Sequence, residues 1–156
     1  MNNITLEEIA KNVSGNIVLF PPVEKGMIKF EIKDKFKIVN GMISFSAVVT
    51  LQQKECYDKV LHLKLLKRNE ENNRYATFLL EDISLNNGLG NSTLIRSIVN
   101  IASDESLGDG FPMRNNVTFN FEDIPVLGPG KYAIALVLDE GNTFESIASF
   151  YFEVIE

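Results

Sequence analysis

Tryptophan is absent from this chain, histidine and cysteine occur once each, and only 5 of the 156 residues are proline. Each scarcity closes off a class of function. A single cysteine, Cys56, forbids an internal disulfide and any cysteine-based metal cage. A single histidine, His62, would have to serve in any mechanism that uses imidazole as base or ligand. No apolar stretch approaches the length of a membrane span, and the start of the chain lacks the basic region and apolar run of a signal peptide. The expectation is a cytoplasmic protein with no membrane partner. The Asn-x-Ser/Thr triplets at Asn3, Asn12, Asn91 and Asn116 then follow from an Asn-rich composition. No glycine loop cradles phosphate, since Gly88 and Gly90 lack the third glycine or the Lys-Ser/Thr that such a loop needs.

What is present is the composition of one globular domain. Hydrophobic residues make up 45% and charged residues 23%, and eleven Phe with four Tyr supply core-type aromatic mass. The net charge is −6, unevenly spread: residues 1–78 hold 12 basic against 9 acidic side chains, residues 79–156 hold 3 against 12. An acidic protein is a poor binder of nucleic acid. The asymmetry suggests two sheets, or two halves of a sandwich, that attract each other or an oppositely charged partner.

Thr5 and Glu8 form a capping box, and Leu6, Ile9, Ala10 and Val13 share the face of a short helix that Gly15 is placed to end. A short strand over 17–20 stops at Pro21 and Pro22. Ile28, Phe30, Ile32, Phe36 and Ile38 then alternate with charged residues, and after Asn40-Gly41 the alternation resumes through Ile43, Phe45, Ala47, Val49 and Leu51. A type I′ turn there predicts a hairpin over residues 28–52 in which Phe36 faces Phe45, Ile38 faces Ile43, Ile32 faces Val49 and Phe30 faces Leu51. Asp34 falls on the apolar face of that hairpin, opposite Ala47, as a bulge, an edge-protecting charge or an unusual carboxylate.

Leu61, Leu63 and Leu65 open a second hairpin that returns over 75–83. Leu94, Ile95, Ile98, Val99 and Ala102 fit a helical crossover near 93–102, against which their β-branched content argues, and 103–116 reads as a loop. Val117, Phe119 and Phe121 alternate as a strand. Residues 132–138 are apolar on both faces, which predicts a central strand, and Phe144, Ala148, Phe150, Phe152 and Val154 define the buried side of the last one. Gly130, Tyr132, Ile134, Leu136, the Asp139-Glu140-Gly141 turn and the Phe150 to Val154 alternation resemble the closing hairpin of bacterial immunoglobulin-like β-sandwich domains. The resemblance implies a fold and no activity.

Candidate chemistry is sparse. His62 reads as a residue on the polar face of a strand, and Cys56, between acidic neighbours, as a small apolar side chain. Acidic turns at Asp104, Glu105 and Asp109, at Glu122 and Asp123, and at Asp139 and Glu140 offer oxygens for calcium without the spacing of a calcium loop. Lys29, Lys33, Lys35 and Lys37 line one strand face as an interaction strip, and Phe111 with Met113 forms an apolar pair in a glycine-flanked loop. The fold expected is mostly β: one immunoglobulin-like sandwich over 16–156 after a helix within 1–15, with one helical crossover. The function expected is a non-enzymatic protein-interaction or assembly module, working on a protein partner or by self-association, with no catalytic residues, no cofactor and no nucleic-acid partner. The alternative is a ligand- or carbohydrate-binding sandwich, calcium-assisted, using loop 86–116 and the acidic turns.

Overall fold

The computed structural model describes residues 4–22, 31–53, 57–69, 71–72, 74–85, 97–101, 113–140 and 143–156. The capping box sets the first element. Thr5 is extended (φ −77°, ψ 157°), its hydroxyl accepts from the Glu8 amide at 3.2 Å, and α1 runs Leu6–Asn12 with Leu6 and Ile9 buried. The helix does not wait for Gly15 to end it. Val13 turns extended at once and begins β1 (Val13–Phe20). Gly15 lies inside that strand, where a Cβ would meet Leu51 Cδ2 at 3.0 Å and the Thr50 carbonyl at 3.3 Å, so a side chain there would have to push these neighbours back by a few tenths of an ångström.

Among the described residues eight further strands follow: β2 (Lys35–Lys37), β3 (Met42–Gln53), β4 (Val60–Asn69), β5 (Arg74–Ser84), β6 (Ser97–Ile101), β7 (Met113–Pro125), β8 (Gly130–Glu140) and β9 (Thr143–Ile155). They form a four-stranded sheet in the order β1-β3-β7-β6 and a five-stranded sheet in the order β2-β9-β8-β4-β5. Every pairing is antiparallel except β2 with β9. Both sheets contribute to one core: Phe45, Phe119 and Phe121 from the first meet Phe36, Leu63, Tyr132 and Phe152 from the second. Each such apolar side chain taken from water contributes roughly 1.5–3 kcal/mol.

The long hairpin over 28–52 is the main departure from expectation. Its turn forms: Asn40 (φ 54°) and Gly41 (φ 76°) are both left-handed, and Val39 and Met42 exchange backbone hydrogen bonds of 2.9 and 3.1 Å. Beyond that single bridge the two arms part. β3 spends both of its edges on β1 and β7, so Ala47 lies between Leu19 and Phe119, and Val49 between Ile17 and Val117. The preceding arm crosses to the other sheet, where Lys35, Phe36 and Lys37 pair in parallel with Glu153, Val154 and Ile155. Phe36 and Phe45 still meet, edge to face at 5.8 Å, but across the core and not along a ladder. Ile38 is half-buried and not opposite Ile43, Ile32 is 61% exposed, and Asp34 is exposed and not opposite Ala47. Phe30 and Lys29 lie outside the described residues.

Three other expectations change. Ser97–Ile101 is an edge strand and not a helix, as its β-branched residues favour. The loop expected to reach residue 116 ends sooner, because β7 begins at Met113. Along β8 and β9, even residues face even ones from Gly130–Val154 to Leu136–Ala148, then a bulge shifts the register. Phe144 is thereby opposite Asp139 and turned out of the core. The expected β4–β5 hairpin is present with its own bulge after Leu63, and β8, flanked by β9 and β4, is buried from Tyr132 through Leu138. Among the described residues no helix is long and apolar enough to cross a membrane.

Candidate cleft on the outer face of the five-stranded sheet

Alternation assigns the two faces of the five-stranded sheet. Leu61, Leu63 and Leu65 on β4 and Tyr132, Ile134, Leu136 and Leu138 on β8 point into the core. Their neighbours His62, Lys64, Leu66, Ala133, Ala135 and Val137 therefore point outward. Register then lays rows across the outer face. One row reads Tyr151, Ala133, Leu66, Thr77; the next has Ser149, Ala135 and Lys64; the third has Ser146, Val137, His62 and Asp82.

Small side chains in the middle of the rows leave a depression of about 410 Å³. Its floor is Ala133, Ala135 and Val137, each buried although outside the core cluster. Phe144 closes one end and Tyr151 the other, 69% and 71% exposed. Their strand partners on β8, Asp139 and Ala133, are six residues apart, so the rings stand about 20 Å from each other along the strand. Thr77, Thr143, Ser146 and Ser149 bring hydroxyls to the walls. Tyr151 also borders a second hollow of about 280 Å³, with Asp34, Lys35, Arg68, Lys131 and Glu153.

One end of the cleft is an ion-pair network. His62 Nδ1 lies 2.5 Å from an Asp82 oxygen and Nε2 lies 3.0 Å from Asp139 Oδ1. Asp139 Oδ2 accepts from Lys64 at 2.8 Å, and Lys59 pairs with Glu140 at 3.3 Å. The hydrogen bond from Lys64 holds the Asp139 carboxyl below its ordinary value; partial burial opposes this, and the charges of His62 and Lys64 add to it. Lys59 and Lys64 come from the basic first half of the chain and Asp139 and Glu140 from the acidic second half. The charge asymmetry is thus matched within one sheet, and it does not separate the two sheets, since each half of the chain supplies strands to both.

The residues singled out from sequence scatter. Lys35 and Lys37 are exposed on the edge strand β2, on either side of buried Phe36. Lys33 is half-buried with its ammonium 5.2 Å from the centre of the Phe36 ring. Asp34 is exposed, and its carbonyl accepts from the Glu153 amide at 2.8 Å. Glu122 and Asp123 are exposed, Asp123 at φ 53°. Asp104, Glu105, Asp109, Phe111, Cys56 and most of 86–116 lie outside the described residues, and Met113 opens β7. Among the described residues no group of three or more His, Cys, Asp or Glu is arranged to hold a metal. The cleft itself was missed. Its one sequence signal was the second apolar face of β8, made of alanines and a valine, which left room where bulkier side chains would have filled it.

No protein-family model, no curated protein and no solved structure matches this chain.

Proposed function

We propose that the chain is a non-enzymatic binding module of immunoglobulin-like type that takes a carbohydrate on the outer face of its five-stranded sheet. Strand order supports the fold: β1, β3, β7 and β6 take the positions A, B, E and D of an immunoglobulin domain, and β9, β8, β4 and β5 the positions G, F, C and C′. Tyr132 supports it independently. At the start of the F-position strand its hydroxyl donates to the Gly128 carbonyl at 2.6 Å and accepts from the Leu127 amide at 3.2 Å, the tyrosine corner of such domains. The buried tryptophan and the inter-sheet disulfide of antibody domains have no counterpart here, with no Trp and one Cys in the chain.

The observation that carries the binding reading is the pair Phe144 and Tyr151. Two aromatic rings about 70% exposed, one at each end of a floor of small side chains, offer flat faces on which a ligand can stack. A sugar chain has what this surface complements: C–H faces for the rings, and hydroxyls for the Ser, Thr and carboxylate groups between them. His62 supports the absence of catalysis. Each ring nitrogen faces a carboxylate, so neither is open to take a proton from a hydroxyl nucleophile. Titration against a panel of neutral and charged oligosaccharides, followed by amide chemical shifts, tests the reading. The expected result is shifts confined to β4, β5, β8 and β9, with Tyr151→Ala weakening binding about tenfold, near 1.4 kcal/mol. Binding indifferent to Tyr151→Ala overturns it.

The protein-assembly reading stands second, on a different observation. β5 is an outer strand of eleven residues that exposes Phe78 (40%) and Leu79 (57%).

A further inference from the structure

We infer that the carbohydrate of this cleft is an acidic one, with an oxyanion seated at Lys131, Arg68 and Lys35 while a neighbouring ring stacks on Tyr151. The inference rests on the carbohydrate reading above and adds the charge of the ligand.

The two ends of the cleft differ in how their charges are committed. At the Phe144 end each basic side chain already has a carboxylate partner: His62 has Asp82 and Asp139, Lys64 has Asp139, and Lys59 has Glu140. At the Tyr151 end the outer-face row next to the ring reads Lys35, Glu153, Lys131, and Arg68, one residue past the last β4–β8 pair at Lys67–Tyr132, borders the same hollow. Lys35, Lys131 and Arg68 are all exposed, border one hollow of about 280 Å³, and make no ion pair with the described residues. Lys67, from the same end of β4, is held apart, its ammonium donating to the Leu127 carbonyl at 3.2 Å. Asp34 and Glu153 border the hollow too, so three cations stand against two carboxylates, and Glu153 lies between Lys35 and Lys131. The surplus is local, on a chain whose net charge is −6.

Distance ties the hollow to the cleft. Tyr151 borders both, and Glu153, in the row of cations, is two residues further along the same strand face, about 6.6 Å away. A ring on Tyr151 therefore places its next substituent among the cations. Arg68 can take a carboxylate or sulfate through two parallel hydrogen bonds, and Lys131 can add a point charge. Because the chain as a whole repels anions, selection has to come from this short-range contact and has to be screened by salt.

Isothermal titration calorimetry with three probes of equal length tests the inference: an oligogalacturonate, a sulfated galactan oligosaccharide and a neutral galactan. One or both acidic probes should bind about tenfold more tightly than the neutral one, with the preference lost at about 1 M salt. Which acidic probe leads separates carboxylate from sulfate. Combining Arg68→Gln with Lys131→Gln should erase the preference and leave neutral binding as it was, and Tyr151→Ala should weaken all three. Equal binding of neutral and acidic probes, still sensitive to Tyr151→Ala, overturns the acidic inference and leaves the cleft standing. An acidic preference that survives the double substitution overturns the assigned seat. Failure of every probe to bind removes the cleft reading and the inference with it.

Discussion

Tyr132 combines two roles in one side chain. Its ring stacks on Phe152 in the core at 5.8 Å while its hydroxyl satisfies an amide and a carbonyl in the β7–β8 corner. Burial pushes its pKa above the ordinary 10.0, against the smaller effect of the Leu127 amide, so the neutral phenol is the form that the fold holds. The stability tied to that proton is present in full below pH 10.0 and is lost as the pH rises through the elevated folded value. Tyr132→Phe should cost about 1–3 kcal/mol at neutral pH, by orphaning the Leu127 N–H and the Gly128 carbonyl, and should lose less stability than the parent on going to about pH 11. Urea unfolding at the two pH values measures both. Equal costs at both would mean that the phenol proton is not linked to folding, and no cost at neutral pH that the hydroxyl does not hold the corner. Tyr132 was legible as a strand residue, but its bond across the corner was not, because alternation carries no information about a hydroxyl's partner.

At the scale of elements the turn at Asn40-Gly41 shows what alternation can and cannot report. The period-2 pattern correctly marks one face of the later arm for burial; on the earlier arm Phe36 is buried, Ile38 half-buried and Ile32 exposed, and Phe36 and Phe45 do both enter the core. It does not say which sheet each arm joins, because strands facing each other across a core carry the same pattern as strands paired side by side. What decided the outcome was competition: β1 and β7 offer long partners to β3, and no free edge remained for the segment before the turn. Phe36→Ala should therefore cost about 3–5 kcal/mol, as the loss of a ring touching Phe45 and Phe152 from the opposite and neighbouring strands. A loss near 1 kcal/mol, typical of one cross-strand pair, would return the segment to an exposed hairpin. The candidate site was hidden by a related gap. Phe144 follows the buried parity of its strand, and only the bulge after Leu136 puts it outside.

The molecule as a whole leaves one long strand of its five-stranded sheet at the margin. Ala76 through Leu80 contain no charge and no proline, and Thr77 already borders the cleft. If β5 pairs with its counterpart in a second copy, sedimentation should show a mass that rises with concentration, and Leu79→Lys should hold the chain as a monomer without lowering its melting temperature. A monomer at every concentration would remove the assembly reading and leave the cleft reading intact. The division into two layers was legible from composition and strand patterning; the partners of the edges were not, since an edge is defined by what fails to arrive.

The parallel pairing of β2 with β9 also bears on the order in which the chain acquires its structure. Among the described residues Lys35 to Lys37 find their only strand partner in Glu153 to Ile155, so this edge closes through contacts between distant parts of the sequence. Such contacts carry the largest loop-closure cost and form late. As the chain emerges during synthesis, Phe36 can meet Phe45 but lacks its ladder partner Val154 and the Phe152 ring until β9 has arrived. The β4–β5 and β8–β9 hairpins, whose partners are local, are free to form before it does.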